Sequence, residues 1–436
     1  MSVGLEYIRS LEQWRGSADF NLDAISQVLD YLGNPQDKVH SVHVAGTNGK
    51  GSVAVMLSSI LGADGLRVGL LSSPHLSRFN ERIVIDGCPI SDGLLDRYGA
   101  EVKAASEAVG ARLTYYEGLV SIGFLAFYRE GIERMVVEVG LGGRLDGTNV
   151  ISKPDIAVIT SVSSDHTHIL GERLSEIARE KGGIIKEGSH VIVGDLPREA
   201  LDVITEISER VGVSSIWIKE RDFGFDREKN LISFPDRGEC NINISLLPSY
   251  QRTNALIALA CGHYLGASNI AMANGLKNFF WPGRYEEGTI NGKRRLIVDC
   301  AHNPDGVKKL IDSLTEDGIS EASICFGVLE SKEWPSMVDM LGEICKVWHL
   351  VTPDSSRALQ SERVYEYLAK KGISSSIYNE VKEGICCAVN EQTDLPLIVT
   401  GSIYMVGLAR ELIGELESVS GIELNKPYWI RMSKPV

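Results

Sequence analysis

The sequence predicts an α/β protein with two domains, each built around a largely parallel sheet. Three observations support this fold class. Short runs rich in β-branched residues recur along the 436 residues, amphipathic stretches lie between them, and a turn-forming stretch at Trp281–Arg284 separates two blocks of this alternation. Strand–helix alternation is typical of parallel sheets, whose ligands bind at the carboxyl ends of the strands. Functional residues are therefore expected directly after predicted strands.

The individual elements follow from these patterns. The predicted strands are Val42–Ala45, Met135–Val139, Ile156–Val162, His190–Val193, Leu296–Asp299, Ser323–Val328, Val347–Val351 and Leu397–Thr400. The predicted helices include Ser52–Ala63, Leu119–Arg129, Leu174–Lys186 and Val307–Leu314. Alternating residues and turn formers between about Ile216 and Leu247 predict a small antiparallel excursion. Because Pro-Gly interrupts regular structure strongly, we place one domain at residues 1–283 and a smaller, Rossmann-like domain at residues 284–436.

Composition excludes several classes of protein. Apolar residues make up 44% of the chain and charged residues 23%, so packed cores are expected rather than disorder. The net charge of −14 repels phosphate backbones, which argues against nucleic acid as a partner. The eight cysteines form no C-x-x-C pair, which argues against a zinc site. We expect a cytoplasmic protein, because the chain has neither a secretory start nor an apolar run of the roughly 18 residues that span a bilayer.

The strongest motif is the loop Gly46–Ser52, which joins a predicted strand to a predicted helix. Glycines let backbone N–H groups turn towards an anion, and the helix N-terminus adds its dipole. Lys50 is placed to reach the β and γ phosphates of a nucleotide, and the Ser52 hydroxyl to hold Mg²⁺. Residues expected to favour or tolerate unusual φ angles are Gly46, Asn48, Gly49 and Gly51. The loop therefore predicts that the first domain is a P-loop ATPase.

The match to the G-x-x-x-x-G-K-[ST] pattern is imperfect. Val44 stands at the first glycine position, and Gly51 is inserted before Ser52. The alternative interpretation is an ordinary glycine-rich turn between a strand and a helix. The context of strand, loop and helix favours phosphate binding.

Two further strands end in candidate metal ligands. Glu138 lies near the end of one strand, where it could bind Mg²⁺ or, alternatively, cap a neighbouring helix. Another strand runs into a loop with Asp165, His166 and His168. His166 is a candidate metal ligand that Asp165 could orient, but His168 is equally plausible, and spacing alone does not choose between them.

Two more features stand out on chemical grounds. Lys181 lies in a predicted helix and is followed by Gly182 and Gly183, an unusual position for a helical lysine. In the second block, Asp299, His302 and Asn303 cluster where a strand ends. The simple interpretation is a helix N-cap, but the cluster favours a ligand site.

Taken together, these motifs resemble those of the Mur ligases and, among them, those of the folylpolyglutamate synthase/dihydrofolate synthase family. Ten segments match that family in order along most of the chain. They are Leu22–Gln36, His43–Val53, Ser72–Leu76, Arg78–Ile83, Glu138–Asn149, Asp165–Gly171, Glu180–Lys186, Trp281–Arg284, Asp299–Pro304 and Val399–Gly407.

The resemblance implies a role for each matched residue. ATP and its phosphates would be bound by Asn48, Gly49, Lys50, Gly51, Ser52, Asn254, Arg284 and Asp299. Magnesium would be bound by Ser52, by Ser73 and Glu138 at one ion, by His166 at a second, and by Lys181 after carbamylation by CO₂, with Gly182 and Gly183 leaving room for the added group. The acceptor would be bound by Thr114, Tyr115, Tyr116, Glu117 and Leu145. The residues implied in catalysis are Lys50, Lys181, Arg284 and His302.

The implied reaction is ATP-dependent amide formation through an acyl phosphate. L-Glutamate would be joined to dihydropteroate or to a folate, with ADP and phosphate released. The resemblance also implies two Mg²⁺ ions, a monovalent cation, and a monomer without nucleic-acid or membrane partners.

One departure from the family bears on the acceptor. The family more often has two phenylalanines where Tyr115 and Tyr116 stand, and each added hydroxyl needs a partner. One rival hypothesis is therefore a paralogous ligase that acts on another carboxylate. A P-loop phosphotransferase or NTPase is a more distant rival, since it leaves the motifs of the second block unexplained, and a binding protein without catalysis fits the residues least.

Overall fold

The structure is a computed structural model that describes residues 3–11, 21–235, 238–420 and 422–424. The ends of the two predicted domains, at residues 1 and 436, lie outside the described residues. The chain forms two compact units. The first contains Met1–Leu247 and Gln251–Phe279, and the second contains Pro248–Tyr250 and Phe280–Val436.

The first unit is built on an eight-stranded sheet. Its strands are β1 (His40–Ala45), β2 (Val68–Leu71), β3 (Ile83–Ile85), β4 (Cys88–Pro89), β5 (Arg134–Glu138), β6 (Ile156–Ser161), β7 (His190–Asp195) and β8 (Ser215–Ile218). They lie in the order β4-β3-β2-β5-β1-β6-β7-β8. The six strands from β2 to β8 in this order are parallel, whereas β3 and β4 run antiparallel at one edge. The predicted α/β class with a parallel sheet is confirmed.

Helices pack on both faces of this sheet. They are α1 (Val3–Ser10), α2 (Asp23–Tyr31), α3 (Lys50–Ala63), α4 (Asp92–Val109), α5 (Tyr115–Arg129), α6 (Thr167–Leu170), α7 (Leu174–Gly182), α8 (Arg198–Val211), α9 (Ser249–Tyr264) and α10 (Asn269–Asn278). Val136 packs into a core with α3 and α9, while its neighbours Met135 and Val137 pack into a core with α4 and α5. Strands covered on both faces read as continuous apolar runs, which is why the sequence pattern located β1, β5, β6 and β7, although the buried strand β2 was not predicted.

The prediction for residues 216–247 is correct only in part. Strands β9 (Gly224–Asp226), β10 (Leu231–Phe234) and β11 (Gly238–Cys240) form the expected antiparallel sheet. Ser215–Ile218, however, pairs in parallel with β7 and extends the large sheet, so the excursion begins later than predicted. The edge strands β3 and β4 were not predicted, because strands of three and two residues are too short to show a period.

The second unit is a seven-stranded mixed sheet with helices. Its strands are β12 (Glu286–Ile290), β13 (Arg294–Val298), β14 (Ala322–Phe326), β15 (Cys345–Val351), β16 (Ser376–Tyr378), β17 (Leu397–Thr400) and β18 (Ile422–Leu424), in the order β16-β15-β14-β17-β13-β12-β18. Its helices are α11 (Pro304–Glu316), α12 (Trp334–Gly342), α13 (Ser361–Lys370), α14 (Val381–Asn390) and α15 (Ile403–Ser420). Five strands are parallel, but β12 and β18 are antiparallel additions at one edge that the sequence did not predict.

Helix boundaries differ from the predictions by a few residues. Helix α3 begins at Lys50 rather than Ser52, and α7 ends at Gly182 rather than Lys186. Helix α11 begins at Pro304, as its missing N–H favours, and the Asn303 side chain accepts a hydrogen bond of 2.8 Å from the Gly306 amide as its N-cap. Across the described ranges, every helix is too short or too polar to cross a membrane.

A close contact between α3 and α10 gives a test of the packing. A Cβ atom at Gly275 would lie 2.4 Å from the Ile60 Cα atom. Gly275→Ala should therefore destabilise the protein by about 2 kcal/mol in urea unfolding, because overpacking outweighs the better helix propensity of alanine. Gly62→Ala in α3 is the matched control: a Cβ there meets no described atom within 4 Å, so it should stabilise by up to about 1 kcal/mol. Equal effects of the two substitutions would contradict this packing.

Candidate active site

The order of strands in the first unit brings four predicted site regions to one edge of the sheet. Strands β2, β5, β1 and β6 are consecutive neighbours, and their registers pair Leu71 with Val137 and Val44 with Glu138. The carboxyl ends of parallel strands lie at the same edge of a sheet. Ser73, Glu138, the loop Gly46–Ser52 and His166 therefore follow neighbouring strands in that order.

The phosphate loop depends on two glycines that no other residue could replace without strain. Gly46 and Gly49 have φ angles of 153° and 87°. A Cβ atom at Gly46 would lie 1.9 Å from the Thr160 hydroxyl oxygen, and one at Gly49 would lie 2.4 Å from the Asn254 side-chain oxygen. The expectation that Gly51 also supplies unusual backbone freedom is wrong, because Gly51 lies in the first turn of α3.

The end of β6 holds this loop in place. The Thr47 amide donates to the Ser161 carbonyl at 2.8 Å, and the Asn48 amide donates to the Ser161 hydroxyl at 3.0 Å. The Asn48 carbonyl accepts from the Thr160 hydroxyl at 2.7 Å. Asn48 thus acts in the loop through its backbone, which fixes the amide groups at the start of α3.

Asn254, a predicted ATP-binding residue, lies beside this loop. It extends from α9, and its side-chain oxygen occupies the space that a Cβ at Gly49 would need. Its amide group donates to the Gln251 side-chain oxygen at 3.1 Å. Gln251 is buried and therefore fixes which way the Asn254 amide points.

Two lysine side chains meet at one carbonyl of the loop. The Lys50 ammonium donates to the Gly46 and Thr47 carbonyls at 3.2 and 3.1 Å. The Lys181 amine donates to the same Gly46 carbonyl at 2.9 Å and is only 3% exposed. Burial, helped by the charge of Lys50 and opposed by Asp165, lowers the pKa of Lys181 to about 7. Lys181 therefore has a large neutral fraction at neutral pH, and a neutral amine is nucleophilic.

The glycines after Lys181 are sites of close packing. A Cβ at Gly182 would lie 2.7 Å from the Ile207 side chain, and one at Gly183 would lie 2.5 Å from the Arg144 Cβ atom. They allow close packing against α8 and against the loop after β5. That this packing leaves room for a group on Lys181 stays a prediction.

Ser73 and Glu138 are in direct contact. The Ser73 amide donates to a Glu138 carboxylate oxygen at 3.1 Å, and Glu138 is 5% exposed. Ser73 lies in the loop after β2, so this contact is not a helix cap. With the buried Ser52 hydroxyl, this part of the chain offers a set of oxygen donors, which Mg²⁺ prefers. Within the described residues, no three His, Cys, Asp or Glu side chains come together as a group that could hold a metal ion.

His166 lies next to Asp165, the residue expected to orient it. Its φ angle is 51°, its amide donates to the Asp165 carboxylate at 2.9 Å, and its Nε2 atom lies 3.8 Å from the same oxygen. His168 is exposed in α6, with its ring 6.2 Å from that of His166. Metal binding by His166 stays a prediction.

The predicted acceptor-binding residues lie around the start of α5. Thr114 and Glu117 form its capping box, with a bond of 2.8 Å from the Thr114 amide to the Glu117 carboxylate. The Tyr115 ring packs edge-on against Phe79, with centroids 5.8 Å apart, and the Arg82 guanidinium lies 5.7 Å from its centroid. Thr114 and Glu117 thus have a structural role, while Tyr115 faces the loop that carries Arg82.

Tyr116 and Leu145 flank a carboxylate that sequence reasoning did not single out. The Tyr116 hydroxyl donates to Asp146 at 3.4 Å, and burial raises the pKa of Tyr116 well above its usual value. Leu145 is half-buried next to Asp146 in the chain. Asp146 is 4% exposed and also accepts from the Leu141 amide at 2.8 Å.

A buried histidine extends this network to β1. His43 Nε2 lies 2.8 Å from the Thr148 hydroxyl, which itself lies 2.5 Å from Asp146. Because the Thr148 hydroxyl donates to the carboxylate, it accepts from His43, which fixes the neutral Nε2–H tautomer. Burial, helped by the charge of Lys186, lowers the pKa of His43 to about 3. The sequence could have indicated His43, because it is the lone polar residue between Val42 and Val44 in an apolar strand.

In the second unit, Asp299 is surrounded by donors. One carboxylate oxygen accepts from the Tyr250 hydroxyl at 2.6 Å and from the Tyr285 amide at 2.8 Å, and the other accepts from the Ala301 amide at 2.8 Å. Burial raises the pKa of Asp299, although Tyr250 and the charge of Arg284 oppose that shift. Sequence reasoning missed Tyr250, which lies far from Asp299 along the chain.

The other predicted residues of this unit lie close by in the chain. The Arg284 guanidinium donates to the Gly283 carbonyl at 3.1 Å. His302 Nδ1 lies 2.9 Å from the Cys300 carbonyl, so this nitrogen carries the proton. The second unit therefore presents a carboxylate and an oriented imidazole directly after β13, and a cation just before β12.

Comparisons with known proteins bear on what these sites do. The Mur ligase middle domain matches residues 44–262, and the glutamate ligase domain of Mur ligases matches residues 283–402. The chain is 33% identical over 429 residues to folylpolyglutamate synthase of Lacticaseibacillus casei, which covers 93% of this chain and 97% of that protein. It is 32% identical over 410 residues to dihydrofolate synthase/folylpolyglutamate synthase of Bacillus subtilis, covering 89% and 94% of the two chains.

The chain also superposes on solved structures of such enzymes. FolC of Escherichia coli in complex with DHPP and ADP superposes with a TM-score of 0.84 at 28% identity, covering 94% of this chain and 97% of that chain. The bifunctional folylpolyglutamate synthase/dihydrofolate synthase of Yersinia pestis, complexed with AMPPNP and a Mn ion, superposes with a TM-score of 0.83 at 28% identity and the same coverage.

The His43 network predicts a pH effect on stability. The unfolded chain takes up a proton near pH 6.5, whereas folded His43 stays neutral down to about pH 3, so its contribution to stability is lost as the pH falls below 6.5. Between pH 7 and pH 5 this loss is about 2 kcal/mol. His43→Gln, which keeps an N–H donor for Thr148, should lose that much less stability than the wild type over this range in urea unfolding. Parallel pH curves for the two proteins would contradict the buried neutral histidine.

Proposed function

The chain belongs to the folylpolyglutamate synthase/dihydrofolate synthase family of Mur ligases, and we propose that it joins L-glutamate to the carboxylate of a folate-type acceptor. ATP drives the reaction, and ADP and phosphate are released. One observation carries this proposal. The phosphate loop, the buried Lys181 whose amine contacts that loop, and the Ser73–Glu138 pair lie along one sheet edge of the first unit.

The chemistry requires an activated carboxylate. A carboxylate cannot lose oxide directly, so its oxygen attacks the γ-phosphorus of ATP, the bond to the bridging oxygen breaks and ADP leaves. The amine of glutamate then attacks the carbonyl of the acyl phosphate and phosphate leaves. Lys50 and the amide groups at the start of α3 would bind the charged phosphoryl oxygens. Magnesium held by Ser52, Ser73 and Glu138 would supply further positive charge to those oxygens.

We propose that Lys181 is carbamylated. Its neutral amine attacks CO₂, a C–N bond forms, and the amine proton is released to solvent, which leaves a carbamate anion. The lowered pKa of Lys181 and its burial support this step, because only the neutral amine reacts. The resulting anion would serve as a ligand or an orienting group for magnesium beside the loop.

The acceptor we propose is dihydropteroate, which would yield dihydrofolate, with further glutamates added to folates. Tyr115, Tyr116 and Leu145 would line its site. A paralogous ligase with another carboxylate acceptor remains the second candidate, because the hydroxyl of Tyr116 changes the polarity of this site. Dihydropteroate, tetrahydrofolate and unrelated aromatic carboxylates, each tested with ATP and glutamate, separate the two by mass spectrometry of the products.

Several finer assignments belong to the same proposal. Arg284 and Asp299 would contact ATP, and His302 would act beside the phosphate and the amino acid. We further propose two magnesium ions, with His166 at the second, a monovalent cation, a monomeric enzyme and a cytoplasmic location. The relatives' complexes with ADP, with AMPPNP and with a Mn ion support nucleotide and divalent-metal binding.

The overall reaction predicts a strict requirement for both co-substrates. Phosphate release from ATP should require a pteroate-type acceptor and glutamate together, since the acyl phosphate otherwise does not turn over. Lys50→Ala should lower the rate at least about 1,000-fold, because Lys50 is the cation of the phosphate loop. Lys103→Ala, on the surface of α4, is the control and should keep the wild-type rate. Equal phosphate release without glutamate would exclude the ligase.

The carbamate gives a spectroscopic prediction. Protein in ¹³C-bicarbonate should show one protected carbamate carbonyl in its ¹³C spectrum, and Lys181→Ala should lose that signal and about 100-fold or more of the activity. Lys186→Ala is the matched control, since Lys186 is also partly buried and follows the same helix. It should keep the carbamate signal. A fully active Lys181→Ala enzyme would disprove the role of the carbamate.

A further inference from the structure

The Thr47 side chain connects two loops that carry different proposed ligands. Thr47 belongs to the phosphate loop after β1, and its hydroxyl contacts Ser163 in the loop after β6. The hydroxyl donates to the Ser163 carbonyl at 3.1 Å and accepts from the Ser163 amide, also at 3.1 Å. Thr47 is only 8% exposed, so water competes little for these bonds. One buried oxygen atom thus holds both backbone groups of a residue in the neighbouring loop.

The path of the chain explains why a side chain makes this contact. Strands β1 and β6 are parallel neighbours, and the Thr47 amide continues their pairing by donating to the Ser161 carbonyl at 2.8 Å. After Thr47 the chain turns into α3, so its backbone no longer runs along β6. The Thr47 hydroxyl pairs with Ser163 instead, because a hydroxyl is both a donor and an acceptor. The pairing of the two segments therefore extends to Ser163 through a side chain.

His166 lies three residues beyond the point that Thr47 holds. Three residues span at most about 11 Å, so the position of Ser163 limits where His166 can lie. Asp165 restricts it further, because its carboxylate accepts from the His166 amide at 2.9 Å and its side chain is only 11% exposed. The segment between the Thr47 contact and the His166 imidazole is therefore short and held at both ends.

We infer that Thr47 is a positioning residue for the second metal ion, because its hydroxyl sets the loop that carries His166 against the loop that binds the nucleotide phosphates. The inference rests on the proposed function, in which His166 is a ligand of that ion. Valine has nearly the shape of threonine but neither donates nor accepts a hydrogen bond, so it would release Ser163 from the phosphate loop. Serine would keep both hydrogen bonds.

The test measures metal binding rather than turnover. Mn²⁺ is titrated into protein saturated with AMPPNP, and free Mn²⁺ is measured by electron paramagnetic resonance. Thr47→Val should weaken one of the two Mn²⁺ sites about tenfold, the size typical of residues that orient metal ligands. The other ion, held by Ser52, Ser73 and Glu138 in the proposed function, should keep its wild-type affinity. Thr47→Ser should bind both ions like the wild type.

Electron spin echo measurements identify the affected site. An imidazole nitrogen bound to Mn²⁺ modulates the echo, and His166→Ala should remove that modulation. Thr47→Val should reduce the same modulation at a Mn²⁺ concentration that saturates the wild type. In the Thr47→Val/His166→Ala double variant, the first change should add nothing to the loss caused by the second, because Thr47 acts through His166.

Two controls separate positioning from a general effect on the loop. Thr205→Val is the matched variant, since the Thr205 hydroxyl also donates to a backbone carbonyl, that of Leu201 at 2.9 Å, but within α8. It should bind Mn²⁺ like the wild type. Calorimetric titration with AMPPNP should show that Thr47→Val changes nucleotide affinity much less than Mn²⁺ affinity, because Asn48 and Lys50 keep their own bonds within the loop and to β6.

Each outcome decides between the possibilities. Wild-type binding of both Mn²⁺ ions by Thr47→Val, together with loss of one ion in His166→Ala, would overturn the inference and leave the proposed metal site in place. Equal weakening of both ions, no restoration by Thr47→Ser, or an equal loss in Thr205→Val would also overturn it. A wild type without imidazole modulation, or modulation that persists in His166→Ala, would refute His166 as a ligand in the proposed function and the inference with it. Far-ultraviolet circular dichroism of each variant confirms that the titrated protein is folded.

Discussion

The close approach of the phosphate loop to the end of β6 is the constraint on which the first unit's site depends. Gly46 comes so near Thr160 that a single Cβ atom would prevent the contact. That approach lets Thr160 and Ser161 hold the Asn48 backbone, and it leaves the Gly46 carbonyl as the common acceptor of Lys50 and Lys181. The direction of the helix N-terminus and the environment of the buried lysine thus follow from one backbone contact.

Burial affects the ionisable residues of these sites in two different ways. The Lys181 amine donates to the Gly46 carbonyl, and burial lowers its pKa to about 7, so the amine becomes partly neutral. Asp146 and Asp299 instead collect several N–H and O–H donors, which oppose the effect of burial on their pKa values. The desolvation cost of a buried charge therefore favours a neutral amine at Lys181 and carboxylates surrounded by donors at Asp146 and Asp299.

The sequence predicted much of this arrangement and missed parts for identifiable reasons. Strands buried on both faces produce apolar runs, so β1, β5, β6 and β7 were located within one or two residues. Strands β2, β3, β4, β12, β16 and β18 were not predicted, because short or half-exposed strands leave little pattern. Lys50, Ser73 and Glu138 were found since they belong to ordered motifs, but Tyr250 and the His43 network were not, since their partners lie far away in the chain.

The sequence by itself determined the α/β class, the phosphate loop and the family, because local periodicity and ordered strings of residues are properties of the chain. It could not determine what Lys181, Tyr116 or Asp146 experience. The pKa of Lys181 depends on exclusion of water by residues distant in sequence, and the pKa of Tyr116 depends on its burial beside Asp146. Only the tertiary structure brings those groups together, so only it decided how far burial lowers the pKa of this lysine.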